Sequence, residues 1–404
     1  MSSFSFVHVA DIHLGYEQYN LATRREDFDR TFAEITEKTL DLKPDFMIIA
    51  GDLFHYARPM NTTLEKAITN FRKLKDAGIP VLAIDGGHDA APNMITGTIL
   101  NPLDSAGLLY YLPRHEGACW QNDQAYVYGV PNFRTRERTE KNLPSFYEIK
   151  TPRPKPDLFN FFVFHMILDI PEMSRGKLNI AVESSPDLIP KGFDYYAGGH
   201  IHSPWHLQFK GGRLVYSGST ETVSYEDAEV KKGFYHGQID DDRELTLNRI
   251  NLESPRKFKV LDKDYTGMTP LKITESVMQS IRDNDESGIV LVPVLRGLLP
   301  AESSRRELDV AAIRNTSEKA LIVHPMILMN EQGIPEETLR SIFEGELKDI
   351  KMKSFQYFLQ FFQQRYRDDE AKDNSHLALD LIPLLVKGDD DHVRKLLEDT
   401  TCEN

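Results

Sequence analysis

The stretch Ala10-Asp11-Ile12-His13-Leu14-Gly15 places a carboxylate and an imidazole two residues apart, directly after a short predicted strand. The strand is predicted because apolar and polar residues alternate in Phe4-Ser5-Phe6-Val7-His8-Val9. Alternate residues of an extended chain share one side, so Asp11 and His13 are expected to face the same way. Oxygen and neutral nitrogen donors together suit divalent cations such as Mn, Fe or Zn. An isolated Asp-x-His pair also fits a plain polar strand end, so the metal interpretation depends on the later strand ends.

Two more units of strand, polar loop and helix follow. The apolar run Asp45-Phe46-Met47-Ile48-Ile49-Ala50, typical of a strand buried on both faces, ends in Gly51-Asp52-Leu53-Phe54-His55. The next strand, Ile79-Pro80-Val81-Leu82-Ala83-Ile84, ends in Asp85-Gly86-Gly87-His88-Asp89. Helical spacing of apolar residues predicts helices over 24–40 and 62–76. Asp52 alone would fit a turn or a helix N-cap, but the repeated order predicts an α/β fold with polar residues at the carboxyl ends of the strands.

Two later strand ends carry histidines. His165 follows the apolar run 158–164, and 193–199 leads through two glycines into His200-Ile201-His202. A single histidine is more often a structural hydrogen-bonding residue than a ligand, whereas His-x-His at this place is more specific for metal. If one sheet edge gathers the strand ends, they supply ligands for two metals that share one carboxylate: Asp11, His13, Asp52, His165, His200 and His202. Such a pair of ions suits hydrolysis of phosphate esters, with His88 as the candidate either to protonate the leaving oxygen or to stabilise the developing charge.

The remaining segments leave alternatives open. Residues 134–155 are basic and rich in proline, which predicts an irregular connection that is either a solvated loop or a phosphate-contacting edge. Beyond about residue 250, a helix over 269–282 and a strand over 288–295 indicate a separate α+β unit. From about 335 the chain is helical and rich in aromatic residues, including Phe355, Phe358, Phe361 and Phe362. This segment either packs against the body of the chain or binds a partner as a helical hairpin.

Composition narrows the class of protein. The length of 404 residues is enough for two or three domains. The net charge of −14 argues against a uniformly basic nucleic-acid-binding protein, although a metal site and a local basic patch can still hold DNA. The cysteines Cys119 and Cys402 lie far apart and suit a reducing cytosol. No apolar run reaches the roughly 20 residues needed to span a bilayer, and no secretory signal is recognised, so we expect a cytoplasmic protein without a membrane anchor.

The joint pattern resembles the calcineurin-like metallophosphoesterase signature, with Asp11-x-His13, Gly51-Asp52, Gly-x-His88-Asp89, a later lone histidine and Gly199-His200-x-His202. Within that superfamily the chain is similar to the archaeal meiotic-recombination-eleven (SbcD-like) nucleases that repair DNA double-strand breaks. The similarity extends to Tyr16-Glu17-Gln18, Ile49-Ala50-Gly51-Asp52-Leu53-Phe54-His55 and Lys232-Gly233-Phe234-Tyr235. It covers residues 4–250 strongly and the rest of the chain more weakly.

The resemblance implies a fold and a division into domains. The expected architecture is α/β, with a calcineurin-like β-sandwich flanked by helices, a small α+β capping domain and a C-terminal helical segment. We expect the metallophosphoesterase domain over residues 1–250, the DNA-capping domain over 251–334 and an ATPase-binding helical segment over 335–404. The implied partner of that segment is a Rad-fifty or SbcC-like SMC-type ABC ATPase. The resemblance also implies a homodimer formed by the helices around Leu64–Phe71 and Ile99–Leu108.

The resemblance also implies roles for single residues. One Mn²⁺ would take Asp11, His13, Asp52 and His202, and the other would share Asp52 and take His165 and His200. His88 matches the family's catalytic histidine, and His55 matches a histidine implicated in exonuclease action. The family pattern has an asparagine ligand of the second metal at the position of Gly87, which has no side chain. Water could fill that coordination position, the second metal could bind more weakly, or the enzyme could be impaired.

The implied function is a Mn-dependent DNA nuclease of an ATPase–nuclease complex that processes double-strand breaks. It would act as a single-strand endonuclease and as a 3′–5′ exonuclease on duplex DNA, in association with the nucleoid. Two alternatives remain from the residues alone. One is a phosphatase or cyclic-nucleotide phosphodiesterase on the same fold. The other is a non-catalytic scaffold for DNA ends, suggested by Gly87.

Overall fold

The structure is a computed structural model and describes residues 2–91, 97–170, 182–301, 303–331, 347–363, 366, 368–387 and 392. Its strands are β1 (Phe4–Val9), β2 (Phe46–Ala50), β3 (Val81–Ile84), β4 (Tyr110–Tyr111), β5 (Cys119–Gln121), β6 (Ala125–Gly129), β7 (Phe159–His165), β8 (Tyr195–Gly199), β9 (Trp205–Phe209), β10 (Gly212–Tyr216), β11 (Gly233–Ile239), β12 (Leu245–Asn251), β13 (Phe258–Asp264), β14 (Val290–Leu298), β15 (Ile322–Val323) and β16 (Met326–Asn330). Its α-helices are α1 (Ala22–Leu42), α2 (Asn61–Asp76), α3 (Leu100–Ser105), α4 (Arg136–Ile149), α5 (Pro270–Asp283), α6 (Val310–Arg314), α7 (Leu347–Gln363) and α8 (Asp368–Lys387).

Strands β1 to β12 form two six-stranded sheets within the described residues. The first has the order β12-β11-β1-β2-β3-β4, in which β1 to β4 are parallel and β11 runs antiparallel to β1. The second has the order β5-β6-β7-β8-β10-β9, in which β6, β7, β8 and β10 are parallel. Parallel strands point their carboxyl ends at one edge of their sheet, which is where the predicted site residues follow the strands.

The two sheets pack face to face because their strands alternate sides. Phe6 of β1 points between the sheets and meets Phe161 of β7 edge to face, with ring centroids 4.8 Å apart. Val7, its neighbour, points to the opposite face and joins the core formed with α1, α2 and α3. Leu143 of α4 belongs to a third core cluster, on the outer face of the second sheet. A β-sandwich flanked by helices results, which confirms the predicted fold class.

One sequence-based expectation is wrong. Residues 134–155 were expected to form an irregular connection, but α4 occupies Arg136–Ile149 and contains Pro144. An interior proline costs about 3 kcal/mol because it removes a backbone hydrogen bond. The helix forms because Thr135 caps its amino end by accepting a hydrogen bond from the Arg138 N–H, and because Leu143 is fully buried. The alternative that this segment is a phosphate-contacting edge stays a prediction.

The chain after β12 forms a further sheet in which β13, β14 and β15 are adjacent and β16 also pairs with β14. The chain divides into two compact units. One comprises Met1–Lys263, Ser276–Val294 and Val310–Met326, and the other comprises Asp264–Glu275, Leu295–Asp309 and Ile327–Asn404. The division into domains over 1–250, 251–334 and 335–404 therefore stays a prediction. None of the helices among the described residues has the length and apolar character needed to cross a membrane.

Candidate metal centre

The predicted ligands come from the carboxyl ends of four strands. Asp11 and His13 follow β1, and Asp52 follows β2. His165 is the last residue of β7, and His200 and His202 follow β8. The structure brings all of them together: the ligand atoms of Asp11, His13 and His202 lie within 4.8 Å of one another, and so do those of Asp52, His165 and His200.

The backbone at these strand ends adopts the left-handed conformation, which non-glycine residues rarely take. The φ angles are 54° at Asp11, 53° at His13, 50° at Asp52 and 87° at His200. Such conformations cost of order 1–3 kcal/mol each and persist only where surrounding contacts hold them. Here the Asp11 carboxylate accepts hydrogen bonds from the His200 backbone N–H at 3.1 and 3.0 Å, which ties the two sheets together. The strain therefore lies at the site itself.

Two glycines let the His165 ring approach the backbone closely. A Cβ at Gly51 would lie 2.3 Å from His165 Nδ1, and a Cβ at Gly199 would lie 2.0 Å from the Ala50 carbonyl oxygen. Those distances are far inside van der Waals contact, so only glycine fits at either position. The same His165 Nδ1 lies 2.8 Å from the Ala50 carbonyl oxygen and donates to it. This bond directs Nε2 of the ring toward the carboxylates.

Asp52 lies between the two groups of ligands. Its Oδ2 is 3.8 Å from His13 Nε2 and 3.2 Å from His165 Nε2, so one oxygen faces a nitrogen of each group. Its Oδ1 accepts a hydrogen bond of 2.8 Å from the backbone N–H of His88. This is the position that a carboxylate shared by two cations requires.

The charges of the site favour cation binding. Burial lowers the pKa of His13 well below its ordinary value, and burial together with His165 lowers the pKa of His200 to about 3, so both imidazoles are neutral. Burial disfavours the charged form of His165, but the Asp52 and Asp11 carboxylates outweigh it and raise the pKa of His165 to about 10. Burial likewise opposes ionisation of Asp52, yet His165 holds its pKa well below the usual range. The carboxylates thus attract a positive charge, and a cation that takes the place of the His165 proton would release that proton.

Two buried imidazole nitrogens provide a test of whether these residues fit metal ions. His13 Nε2 and His165 Nε2 make no well-formed hydrogen bond among the described residues, and they face Asp52 Oδ2 at 3.8 and 3.2 Å. Buried polar atoms are nearly always paired, so an unpaired imidazole nitrogen beside two carboxylates indicates a ligand position. Neutral nitrogen with carboxylate oxygen is also the donor set that Mn, Fe and Zn accept. The residues present therefore fit two divalent cations.

The two predicted catalytic histidines lie beside the ligands. His88 is exposed, and its Nδ1 lies 2.9 Å from the carbonyl oxygen of His55. The His55 ring stacks on Tyr16 with centroids 3.7 Å apart, and its Nδ1 lies 3.3 Å from His13 Nδ1. Burial and the neighbouring His88 lower the pKa of His55 to about 4. His55 is therefore neutral near pH 7, and it contacts both His13 and His88.

Sequence reasoning missed the residues that hold the ligands in place. The Asp227 carboxylate lies 3.1 Å from His202 Nδ1 and 3.1 Å from the ammonium of the buried Lys232. A carboxylate behind a histidine fixes the ring and raises its basicity as a ligand. Asp89 accepts hydrogen bonds from the backbone N–H groups of Leu53 and Gly86 and so connects two loops of the site. Asp89 and Lys232 stand in quoted motifs, although no role was predicted for either, and no local pattern connects Asp227 with His202.

The Gly87 position is open in the structure. A Cβ built on Gly87 meets no atom within 4 Å, and its backbone is not in the left-handed region. The position could therefore carry a side chain, and nothing in the local packing requires glycine. An asparagine introduced there would begin in open space, without a clash at its Cβ.

Comparisons with known proteins identify a matching family and several similar proteins. The model of the calcineurin-like phosphoesterase family matches residues 4–204. The chain is 34% identical over 239 residues to the DNA double-strand break repair protein Mre11 of Archaeoglobus fulgidus. This alignment covers 55% of this chain and 51% of that protein. It is 28% identical over 365 residues to the Mre11 of Methanococcus maripaludis, covering 86% of this chain and 91% of that protein. A third Mre11, from Saccharolobus solfataricus, is 28% identical over 316 residues, covering 75% of this chain and 76% of that protein.

The family match confirms the predicted enzyme class, a metal-dependent phosphoesterase. The alignment with the Archaeoglobus fulgidus protein spans about half of that relative's length, 51%. The matched residues 4–204 contain β1 to β8 and every predicted ligand. Residues 4–204 match the calcineurin-like phosphoesterase family, and the chain is similar to archaeal Mre11 proteins.

Proposed function

We propose that this chain is a manganese-dependent DNA nuclease that processes double-strand breaks, as a single-strand endonuclease and a 3′–5′ exonuclease on duplex DNA. The observation that carries the proposal is the position of Asp52 Oδ2, which faces a nitrogen of each ligand group. Two cations that shared this carboxylate would suit the cleavage of phosphate esters. The choice of DNA is supported by the relatives, which are named as DNA double-strand break repair proteins. A DNA substrate would place the protein in the cytoplasm, at the nucleoid.

The ligands divide into two sets in this proposal. Asp11, His13 and His202 would hold one Mn²⁺, His165 and His200 would hold the other, and Asp52 would touch both. When bound, a pair of divalent ions provides Lewis-acid stabilisation of the phosphate and a hydroxide nucleophile near neutral pH. The chain's own part is to present fixed carboxylates together with imidazoles, of which His13 and His200 are already neutral. The left-handed backbone at the strand ends holds those groups before the substrate arrives.

His88 is proposed to give a proton to the leaving oxygen. The His55 carbonyl engages His88 Nδ1 at 2.9 Å, which leaves Nε2 as the ring nitrogen available to a substrate. The bond from the His88 N–H to Asp52 fixes the backbone next to the ligands. His55 is proposed to keep both rings in place while the nucleotide is bound. Its stack on Tyr16 restricts the rotation of its own ring.

Two other functions compete with this proposal. A phosphatase or cyclic phosphodiesterase of the same fold would share the ligands but would not cleave DNA, and a DNA-end scaffold would bind DNA without cleaving it. Incubation of the full chain with Mn²⁺ and end-labelled duplex DNA, with and without an SMC-type ATPase, separates the three. We expect shortened strands whose release depends on Mn²⁺. Binding without cleavage would favour the scaffold, and cleavage of small phosphodiesters alone would favour the phosphodiesterase.

The C-terminal helices are proposed to bind the coiled coil of a Rad-fifty or SbcC-like ABC ATPase. Helices α7 and α8 pack through small residues, since Ala371 and Ser375 are fully buried. The aromatic side chains do not enter that contact completely: Phe358 is half-buried and Phe361 is 41% exposed. Exposed apolar surface of this kind usually marks an interface. The apolar positions at 393–397, which the sequence places in the same segment, lie outside the described residues.

Phe361→Asp is expected to weaken binding of the ATPase by about tenfold or more, because a buried aromatic anchor often contributes more than about 1.4 kcal/mol to an interface. Gln360→Asp, at the exposed neighbouring position of the same helix, is the matched control. Titration calorimetry with the ATPase coiled coil measures both. A chain ending near residue 344 should lose binding completely while it keeps basal Mn-dependent cleavage. Equal affinity of Phe361→Asp and the parent chain would assign these helices to core packing.

A homodimer is proposed on the faces of α2 and α3. Leu64, Ile68 and Ile99 are only partly buried against the core, so apolar surface remains for a second copy. Light scattering of the full chain at micromolar concentration should give twice the monomer mass. Ile68→Asp should shift the protein to monomer, whereas Thr69→Asp, exposed on the same helix, should not. A parent chain that scatters as a monomer would exclude this interface.

A further inference from the structure

The two candidate metal positions are unequal in their oxygen donors. The group of Asp11, His13 and His202 has its own carboxylate and lies beside Asp52. The group of Asp52, His165 and His200 has only the carboxylate that it shares. Position 87 adds nothing, and its surroundings are open. The buried His165 Nε2, which faces carboxylate oxygens of Asp52 and Asp11 at 3.2 and 3.9 Å without a well-formed hydrogen bond, nevertheless points to a ligand at this second position.

Glu183 lies next to this second group. Its Oε1 is 3.7 Å from His200 Nε2, and its side chain is 19% exposed. Its backbone N–H donates to the Ile167 carbonyl oxygen at 3.0 Å, and the Ile167 N–H donates to Glu183 Oε2 at 3.3 Å. Ile167 is two residues beyond His165, so these bonds anchor Glu183 to the strand end that carries a ligand. The carboxylate is therefore held at the site and is not a free surface group.

The charge balance also favours a third carboxylate here. Two divalent cations would carry twice the charge of the Asp11 and Asp52 carboxylates together. A further carboxylate close to a histidine ligand offsets part of that excess in a site where water screens little. Glu183 lies outside the compact group of Asp52, His165 and His200. Its Oε1 is 3.7 Å from His200 Nε2. Rotation about its side-chain bonds can close that distance, because only Oε2 is engaged by the backbone.

We propose that Glu183 supplies the second metal position with the oxygen donor that Gly87 does not supply. The inference rests on the two-metal function proposed above. It predicts that positions 87 and 183 replace each other. A side-chain donor at either position should be enough to hold the second Mn²⁺, and loss of both should empty that position while the first stays occupied.

A double-mutant cycle with Mn²⁺ as the titrant tests this exchange. The four full-length proteins are the parent chain, Glu183→Ala, Gly87→Asn and the double variant. Alanine removes both side-chain oxygens, while the bond from the backbone N–H of residue 183 to the Ile167 carbonyl oxygen does not depend on the side chain, so the fold should survive. We expect Glu183→Ala to bind the first Mn²⁺ normally and the second at least about tenfold more weakly, the scale on which metal sites respond to neighbouring carboxylates. Gly87→Asn should restore the second Mn²⁺ in the double variant while changing the parent chain little.

Calorimetry gives the affinity of each ion, and elemental analysis of dialysed protein gives the stoichiometry without relying on activity. Asp187→Asn, an exposed carboxylate four residues further along the chain, is the matched control and should bind as the parent does. Two ions bound with unchanged affinity in Glu183→Ala would overturn the inference. The two substitutions could also change the free energy of binding the second Mn²⁺ additively. That result would overturn the inference, because Glu183 would then act on His200 independently of position 87. A parent chain that binds fewer than two ions would instead overturn the two-metal function itself.

Discussion

Asp52→Asn is expected to remove both tightly bound Mn²⁺ ions and to cause the largest loss of cleavage of any single substitution at the site. Asparagine keeps the shape of the side chain and an oxygen for the His88 N–H, but it removes the charge that faces both ligand groups. Each cation would then lose its shared carboxylate. Loss of a positioned acid lowers cleavage by about 10²–10⁴-fold, and we expect Asp52→Asn to lower it further.

Elemental analysis and calorimetry with Mn²⁺ measure this effect. Asp45→Asn is the control, because Asp45 is exposed and precedes the opposite end of the same strand, β2. Single substitutions of His13 or His165 should each weaken mainly one ion. Retention of both ions in Asp52→Asn would mean that the carboxylate does not bridge them.

His88→Ala is expected to lower cleavage by about 10²–10⁴-fold while both Mn²⁺ ions stay bound. The expectation has two reasons. His88 is exposed beside the ligands, and it belongs neither to the group of Asp11, His13 and His202 nor to the group of Asp52, His165 and His200. The bond from its backbone N–H to Asp52 does not depend on the side chain, so alanine should leave the loop in place.

The control for this substitution is His206→Ala, which removes an exposed histidine on β9. Cleavage rates at saturating Mn²⁺ separate catalysis from metal binding, and calorimetry reports the ions directly. Loss of one Mn²⁺ in His88→Ala would make His88 a ligand. A rate equal to that of the parent chain would assign proton transfer to water or to another residue.

The strand ends that carry the predicted ligands were predictable because the signal is local. Alternation in residues 4–9 and the apolar run 45–50 identify β1 and β2, and the polar residues after them follow directly in the chain. The order of strands and helices then indicates which ends share an edge. The C-terminal helices were also predictable from spacing. Helix α4 was not, because proline and charge dominate its local pattern while the burial of Leu143 decides its structure.

What the sequence determined, therefore, is the set of strands, the residues at their ends and the chemistry that those residue types allow. Only the tertiary structure decided the contacts across the two sheets. The His200 N–H reaches the Asp11 carboxylate across 189 positions of the chain, and Asp227 supports His202 from a separate turn. The place of Glu183 beside His200 was likewise invisible from spacing. Periodicity reports which side of its own strand a residue occupies, whereas these partners become neighbours only when two sheets pack.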